Sequence, residues 1–458
     1  MRLFFKFALA LSLAGQAHAQ ATATIDLPIP EARALATQAA LGGDPETARQ
    51  IAASLLQADP NDRAALLVLA AVEPQLGRPA QGRLAGARAF AVSTTDAEKY
   101  EAARLTALAA ANEGRFTLAQ WWLRRALTVA PTPADEAQTT ADARGVRNLN
   151  PWSSNVELSF APSGNVNGGA EQGVYGVPGS VFVEIIPPDE QALSGWAGTL
   201  DMNVRYRLAA SETFQTTVSA RAFGRGILLS DGAKSFLQEE GSSAVAGDYA
   251  SALLEFGIQF DSLASLGTYG LGANLGQAWE GSDFSYTYLR LDGSRQFPLS
   301  ENVSAAFFAS LEQRWDEDDD VSDFRRSIRT NLNYQQENGN VLTLSLNAER
   351  VDGPSKTDTT RSQTAQIGYS LAKPIGPAQV QLSIGLLSKD YPELLFSLYT
   401  DDTRSDLRYF GSVNLFFSEF DYAGFAPTVT LSASHTQSNH DRYDGEAISI
   451  NFGFRSTF

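Results

Sequence analysis

From residue 152 to the end of the chain, apolar and polar residues alternate at every second position in one segment after another. In the terminal stretch AISINFGFRSTF, Ile448, Ile450, Phe452 and Phe454 alternate with small or polar residues. Successive side chains of a strand point to opposite faces, so each such segment predicts a strand with one apolar face. Because a long apolar edge strand recruits other chains, the pattern disfavours a soluble sheet and favours a closed barrel in lipid.

The N-terminus has the features of a secretory signal. Two basic residues precede an apolar run over 7–13, and Ala17-His18-Ala19 matches the small-x-small pattern of a cleavage site. These features predict a signal peptide over residues 1–19. The chain has no cysteine, which excludes a lipid-anchor site, disulfides and thiolate metal chemistry. No run of about 18 apolar residues follows, so a helical membrane span is not expected.

The charge balance of the chain argues against nucleic-acid binding. The chain carries 52 acidic and 35 basic residues, whereas nucleic-acid binding requires clustered Lys and Arg, so no nucleic-acid partner is expected. Of its 3 histidines, His18 lies in the signal peptide, which leaves only His435 and His440 for a metal site or a histidine-based active centre. No metal or cofactor is therefore expected.

Residues 22–133 are rich in Ala and Leu with helical spacing. Three segments align from Gly43, Gly77 and Gly114, which are 34 and then 37 positions apart. Five positions after each glycine stands a small residue: Ala48, Gly82 and Ala119. The pattern predicts an all-α tetratricopeptide-like repeat domain, whose period is about 34 residues and whose stacked helix pairs form a concave groove. A plain helical bundle is the alternative.

The second half predicts a 14-stranded antiparallel transmembrane β-barrel over residues 152–458, after a linker over 134–151 that lacks an apolar period. The predicted strands are 152–161, 196–208, 212–226, 248–261, 266–279, 283–297, 302–315, 323–336, 340–351, 360–373, 377–389, 404–418, 425–438 and 446–458.

The connections between these strands differ in length. Three alternate connections are long, over 162–195, 227–247 and 390–403, and the intervening turns are mostly short. Outer-membrane barrels have short periplasmic turns and longer outer loops, which predicts a periplasmic N-terminal domain. Four tryptophans fall at strand ends, where an interfacial aromatic girdle is expected: Trp152, Trp196, Trp279 and Trp315.

If the apolar faces of the strands meet lipid, the polar faces line a lumen. Six arginines are candidate residues of the lumen wall: Arg205, Arg207, Arg221, Arg225, Arg325 and Arg329. Fourteen strands enclose more space than side chains fill, so the interior holds water or a plug. Either paired charges stiffen the wall, or the arginines contact an anionic or polar client.

No catalytic constellation is evident. His435 and Ser438 are three positions apart and so lie on opposite faces of a strand. The chain also lacks the G-x-S-x-G and H-E-x-x-H motifs and a phosphate-binding glycine loop. The sequence predicts that the protein is not an enzyme.

The order of domains and two groups of motifs resemble the surface lipoprotein assembly modifier family. The first strand and loop contain Ala161-Pro162 and Asn165-x-Asn167, similar to a motif of that family. The C-terminal region is similar to its terminal pattern through Arg404-x-Asp406, Gly424-Phe425-x-Pro427, Ser438-Asn439, Tyr443 and Phe458. Gly164 and Gly169 depart from the first motif. The terminal Phe458 also resembles the signal that barrel-assembly machinery recognises.

The resemblance implies an outer-membrane translocon that moves surface lipoproteins or secreted scavenging proteins from the periplasm to the cell surface. Its partners would be a protein client, outer-membrane lipid, barrel-assembly machinery and periplasmic chaperones. Phe116, Trp121 and Trp122 are candidate client contacts, although at least one tryptophan is expected in the helical core. An anion-preferring diffusion porin and an exopolysaccharide exporter are the alternative functions.

Overall fold

The computed structural model describes residues 27–176, 181, 183–264, 267–316, 322–354, 358–392, 403–422 and 425–456. A helical region is followed by a closed antiparallel barrel of fourteen strands, as predicted. The chain forms two compact units, one ending at Arg115 and the other beginning at Phe116. The predicted signal peptide lies outside the described residues.

In the described part of the chain, seven helices precede the barrel: α1 Ile29–Leu41, α2 Pro45–Ala58, α3 Arg63–Val72, α4 Pro79–Val92, α5 Asp96–Asn112, α6 Phe116–Leu127 and α7 Pro133–Leu149. Side-chain caps fix several helix starts, because Asp44, Asp62 and Thr95 each accept a backbone N–H of the first turn. At α5 the cap is a complete capping box with Glu98. Within the described residues, no helix combines the length and the apolar character that a membrane crossing requires.

The three glycines used to align the repeats occupy equivalent places. Gly43, Gly77 and Gly114 each lie in a turn between two helices, with φ of +80°, +75° and +78°. Glycine adopts this left-handed conformation without the steric cost that a side chain incurs. The small residues that follow them, Ala48, Gly82 and Ala119, are all buried. The 34-residue periodicity therefore corresponds to a repeated helix–turn–helix, whereas the domain limits of 22–133 stay a prediction.

Residues 133–149 form α7, where the sequence predicted a linker over 134–151. The helix has few apolar residues, so its period was not detectable, but its start carries recognisable signals. Thr132 accepts the N–H of Asp135, Pro133 occupies the first helical position, and Asp135 and Glu136 lie in the first turn. All three features favour a helix N-terminus.

The barrel consists of β1 Trp152–Ser163, β4 Gly195–Ala210, β5 Phe214–Leu229, β6 Ser251–Ala264, β7 Gly267–Glu280, β8 Asp283–Pro298, β9 Val303–Asp316, β10 Ser322–Gln335, β11 Val341–Asp352, β12 Thr360–Ser370, β13 Gln379–Tyr391, β14 Arg404–Phe416, β15 Phe425–Ser438 and β16 Gly445–Ser456. Each strand pairs with the next, and β16 closes the barrel against β1. The short pair β2 Val174–Gly176 and β3 Val183–Ile185 lies in the first loop, and α8 Asp231–Glu239 lies in the second.

The ends of the fourteen observed strands lie within three residues of the predicted ones wherever both are described. The alternation also has the predicted sense. Apolar side chains along β4, β6, β8 and β16, such as Leu200, Phe256, Leu291 and Ile448, are exposed on the outer face. Trp152, Trp196, Trp279 and Trp315 occupy strand ends.

Helices α4 and α5 approach closely at Gly86. A Cβ built on Gly86 would lie 2.3 Å from Thr106 Oγ1 and 3.2 Å from Thr106 Cα, and Thr106 is fully buried. Thr106 also donates to Ala102 O at 2.6 Å, which fixes its rotamer. The contact therefore requires a residue without a side chain at position 86.

We expect Gly86→Val to destabilise the helical unit by about 1–3 kcal/mol through overpacking. The matched control is Gly145→Val in α7, where a Cβ would meet nothing within 4 Å. Thermal unfolding of the full chain in detergent, followed by circular dichroism at a helix-sensitive wavelength, measures the difference. Equal shifts for the two variants would contradict a close contact at Gly86.

Candidate functional site

The barrel has two distinct ends. We call the end with the long connections the loop end; it includes residues 164–194, 230–250 and 439–444. The opposite end, with short turns such as 211–213 and 299–302, is the turn end. The residue preceding β1 lies at the turn end, so α7 joins the barrel there.

A cavity of about 1260 Å³ opens into the lumen near the turn end, and we call it the turn-end cavity. Its lining includes six arginines and five carboxylates, so charges of both signs face the water. Four of the six predicted wall arginines are among them: Arg205, Arg207, Arg221 and Arg329. Arg221 forms an ion pair with Asp201 at 2.6 Å on the adjacent strand.

The other two predicted wall arginines make local contacts. Arg225 donates to the carbonyl oxygens of Val166 and Tyr249 and so anchors the first loop. Arg325 forms an ion pair with Asp323 at 3.3 Å on its own strand. Arg225 therefore has a structural role in the loops.

A charge network missed in the sequence is centred on Arg290 of β8. Its guanidinium contacts Glu255 at 2.8 Å, Asp292 at 3.1 Å and Glu312 at 3.7 Å. Tyr288 donates to Glu255 at 2.5 Å, and the Tyr288 ring lies where a Cβ on Gly276 would stand. Arg290 alternates with exposed Leu289 and Leu291, so its inward direction was detectable from the sequence.

The turn end is fixed to α7 by a compact hydrogen-bonded junction. Arg207 donates to the carbonyl oxygens of Asn148 at 3.0 Å and of Leu149 and Asn150 at 3.3 Å. A cation at a helix C-terminus neutralises its exposed carbonyl groups. The Asn150 amide donates to Thr117 and Gln120 of α6, and its oxygen accepts the N–H of Trp152. Helices α6 and α7 are thus connected to the strands by more than the chain itself.

The three aromatic candidates for client contact all lie on α6. Trp122 is 7% exposed and packs edge-to-face on Trp121 at 4.9 Å, so it belongs to the core and offers little surface. Trp121 is 45% exposed, with the Arg125 guanidinium 4.7 Å from its ring centre. Phe116 is half-buried. Adjacent helix positions point about 100° apart, which accounts for the opposite environments of the two tryptophans.

At the loop end, the first motif organises the loop between β1 and β4. The Asn167 side chain donates to Asp189 O at 3.0 Å and Gln191 O at 2.7 Å, and it accepts the N–H of Leu193 at 2.9 Å. Asn165 exchanges two hydrogen bonds with the backbone of Gly169. The amide of each asparagine supplies N–H donors and an acceptor oxygen at once, and both kinds of group are used here.

Position 169 departs from the family motif, and the space around it explains why it is a glycine. A Cβ at this position would lie 2.4 Å from Gln191 O and 2.5 Å from Glu190 O. Between the two asparagines, Val166 is 1% exposed and packs with Leu193, Ile227 and α8. The first and second loops therefore share a small apolar core, and the loop is a folded element.

The C-terminal motif forms a second cluster at the loop end. Arg404 pairs with Asp406 through three hydrogen bonds of 2.6–3.0 Å, and its guanidinium lies over the rings of Tyr391 and Tyr443. The Asn439 backbone N–H donates to Ser405 O, its side-chain oxygen accepts the N–H of Ser405, and its side-chain amide donates to Thr403 O.

The remaining residues of the C-terminal motif have simpler placements. The Ser438 hydroxyl oxygen accepts the N–H of His440 at 3.2 Å. Pro427 lies near the turn end of β15, far along the strand from Ser438. Gly424 and Phe458 lie outside the described residues.

Both motif clusters face one cavity of about 1350 Å³, the loop-end cavity. Its lining includes Asn165 and Asn167 from the first motif and Arg404, Asp406 and Tyr443 from the second. Seven carboxylates and four basic residues line it. Two motifs separated by more than two hundred residues thus meet at one place, which their spacing in the sequence does not reveal.

An ion-pair bridge joins the two clusters. Arg442, in the last loop, contacts Glu184 and also Glu190 at 3.3 Å, both in the first loop. These three residues carry no signal in the sequence, because no local pattern links positions so far apart. Within the described residues, no cluster of three or more His, Asp or Glu side chains is arranged to hold a metal ion.

The family model described as surface lipoprotein assembly modifier matches residues 250–458, which confirms the resemblance. The family is described as an assembly modifier, and the fold is that of an outer-membrane barrel. Neither is a type of enzyme. No curated protein matches the chain.

Solved structures resemble the chain at low identity. Acinetobacter baumannii OccAB3 is 12% identical, with 67% of this chain and 99% of that chain covered and a TM-score of 0.36. A BenF-like porin from Pseudomonas fluorescens Pf-5 is 9% identical over the same shares, also with a TM-score of 0.36. The Yersinia enterocolitica type III secretion translocator chaperone SycD is 16% identical, covering 26% of this chain and 83% of that chain, with a TM-score of 0.24.

We expect Asn167→Asp to loosen the first loop. The substitution replaces a donor with a carboxylate oxygen facing two carbonyl oxygens, which costs about 1–3 kcal/mol locally. Limited proteolysis of the folded protein should cleave residues 164–194 faster, while heat-modifiable migration of the barrel stays unchanged. Asn338→Asp is the control, because exposed Asn338 acts as an acceptor toward Asn340 N–H and Asp keeps that oxygen. Equal cleavage of both variants would show that the hydrogen bonds of Asn167 do not hold the first loop.

Proposed function

We propose that this chain, whose residues 250–458 match the surface lipoprotein assembly modifier family, moves a protein client from the periplasm to the cell surface. The family match is the observation that carries the proposal. It is supported by the convergence of both motif groups on the loop-end cavity, where a client leaving the lumen would meet them.

We place the turn end, with α6 and α7, in the periplasm and the loop end outside the cell. Outer-membrane barrels have short periplasmic turns and longer outer loops, and this barrel has the same asymmetry. In this orientation, the helices receive the client before it enters the barrel. Barrel-assembly machinery and periplasmic chaperones are proposed partners, for insertion of the barrel and for delivery of the client.

The lumen suits the passage of an extended polar chain. Six arginines and five carboxylates line the turn-end cavity, and two of these arginines form ion pairs, Arg221 with Asp201 and Arg290 with Glu255. A wall with nearly equal numbers of both charges stays hydrated without a strong field of one sign. This balance gives no support to an anion-preferring porin, which needs unbalanced positive charge.

The proposal predicts a specific loss of surface proteins in a deletion strain. Quantitative mass spectrometry of protease-accessible surface proteins, culture medium and periplasm should show one or a few proteins lost from the surface and retained in the periplasm. Plasmid-borne wild-type chain should restore them. An unchanged surface proteome would contradict translocation, and loss of secreted polymer alone would indicate an exopolysaccharide exporter.

Among the candidate client contacts, Trp121 is the best suited to mutation because its side chain is exposed. We expect Trp121→Ala to lower surface display of the client identified above, because it removes an exposed aromatic surface. Leu108→Ala, at an equally exposed apolar position on α5, is the control. Both variants should keep wild-type helical content and barrel migration. Equal display by both variants would exclude Trp121 as a contact.

A further inference from the structure

The barrel closes through an unusually short ladder. Among the described residues, strands β1 and β16 are in register only from Glu157 to Phe160, opposite Arg455 to Phe452, which gives four residue pairs. Each of the other thirteen strand interfaces has at least ten pairs. We call the β1–β16 interface the seam.

The seam is unpaired on its loop-end side. Residues 161–163 of β1 pair with β4, and residues 445–451 of β16 pair with β15, yet neither segment has a register partner across the seam. All of these residues are described. Pro162 contributes to this, because proline has no N–H to donate to a ladder.

Cavities lie on both sides of this unpaired segment. Ser163, Gly164 and Ile448 line the loop-end cavity, and the same three residues line a cleft of about 660 Å³ that also contains Trp196 and Leu229. Ile448 is 85% exposed. Residues of the two unpaired strand ends, and of the loop that follows β1, therefore border both spaces.

Side chains bridge the same place where the ladder is missing. Arg442, just before β16, forms ion pairs with Glu184 and Glu190 of the loop that follows β1. Ion pairs near a surface contribute little free energy and are screened by salt, whereas a strand ladder is cooperative. The loop-end side of the seam is thus easier to open than any other interface between neighbouring strands of the barrel.

An apolar furrow begins beside the seam on the outer face. It is lined by Leu158 and Phe160 of β1 and by Gly198, Gly224 and Gly226 of the next two strands, with a volume of about 430 Å³. A Cβ at Gly224 or Gly226 would meet nothing within 4 Å, so the missing side chains leave open space. A linear hydrocarbon chain has the shape and polarity that this furrow accommodates.

We propose that the seam opens laterally from the loop end by parting its four-pair ladder, and that the acyl chain of a lipoprotein client leaves the loop-end cavity through this opening for the furrow and the bilayer. This inference rests on the proposed function. The polypeptide of a lipoprotein can stay in water, but its acyl chains lose about 0.8 kcal/mol per exposed CH₂, so a lateral route to lipid is favoured.

The test locks the seam in a chain that has no native cysteine. Two cysteine pairs, Glu157→Cys with Arg455→Cys and Leu158→Cys with Phe454→Cys, occupy consecutive register positions. Consecutive antiparallel pairs alternate between narrow and wide spacing, so one of the two suits a disulfide, and a short bismaleimide bridges the other. Ser432→Cys with Ser449→Cys across β15–β16 is the matched control, since these hydroxyl groups are 2.6 Å apart.

In the deletion strain, the cross-linked seam variants should fail to display surface lipoproteins, and reductant should restore display to the disulfide variant. The cross-linked control should behave as wild type. If the wild-type chain restores display and the locked seam does so equally, lateral exit is refuted while the proposed function stands.

Amide hydrogen exchange of the purified wild-type protein in nanodiscs tests opening without any client. Residues 157–160 and 452–455 should exchange faster than residues 382–386 and 409–413 of the β13–β14 interface, and Arg442→Gln should increase that difference. Equal protection at the two interfaces would refute the opening of the seam. If the deletion strain keeps its surface lipoproteins, the proposed function fails, and this exchange measurement alone decides whether the seam opens.

Discussion

The constraint on which this structure depends is that backbone N–H and C=O groups in lipid must be satisfied inside the protein. Strands meet it only by closing into a ring, and thirteen of the fourteen interfaces here do so with long ladders. The fourteenth joins the first and last strands, and its ladder is short. Ring closure therefore brings together the two ends of the barrel sequence, where both motif groups lie, and the interface with the least backbone pairing is the one next to them.

At the barrel ends, side-chain amides and guanidinium groups satisfy backbone donors and acceptors, as the strand ladder does in the barrel wall. At the turn end, Arg207 and Asn150 satisfy backbone groups where α7 gives way to β1. At the loop end, Asn167 satisfies three backbone groups of the first loop. Such groups are needed because a connection that turns away from regular structure leaves donors and acceptors without partners. The motif asparagines are thus explained by backbone satisfaction before any contact with a client is invoked.

The period of two made the barrel predictable, since each strand carries its own signal and the even number of strands follows from counting. The helical repeats were detectable for the same reason, through glycines whose positive φ recurs at each turn. Helix α7 was not, because it buries only Thr139 and Ala143 and so lacks an apolar stripe; its cap at Thr132 was the available signal. The Arg442 bridge and the meeting of the two motifs depend on ring closure, and no local pattern encodes contacts between positions 184 and 442. Helix α6 packs on α7, which has no apolar period, so the sequence did not show which of Trp121 and Trp122 is buried.

The distribution of charge inside the barrel follows from the same need for partners. A guanidinium lining a narrow lumen is partly desolvated, and its free energy is lowest when a carboxylate stands opposite it. Arg221 has such a partner in Asp201 on the adjacent strand. Arg290 contacts Glu255 two strands away on β6 and Glu312 on the adjacent β9, which the register sets opposite it. The lining of the turn-end cavity is nearly neutral, with six arginines and five carboxylates, whereas carboxylates exceed basic groups around the loop-end cavity. A passing polypeptide would meet little electrostatic attraction on entry, and its selection would have to occur elsewhere, either on the helices before the barrel or at the folded loops where the seam is weakest.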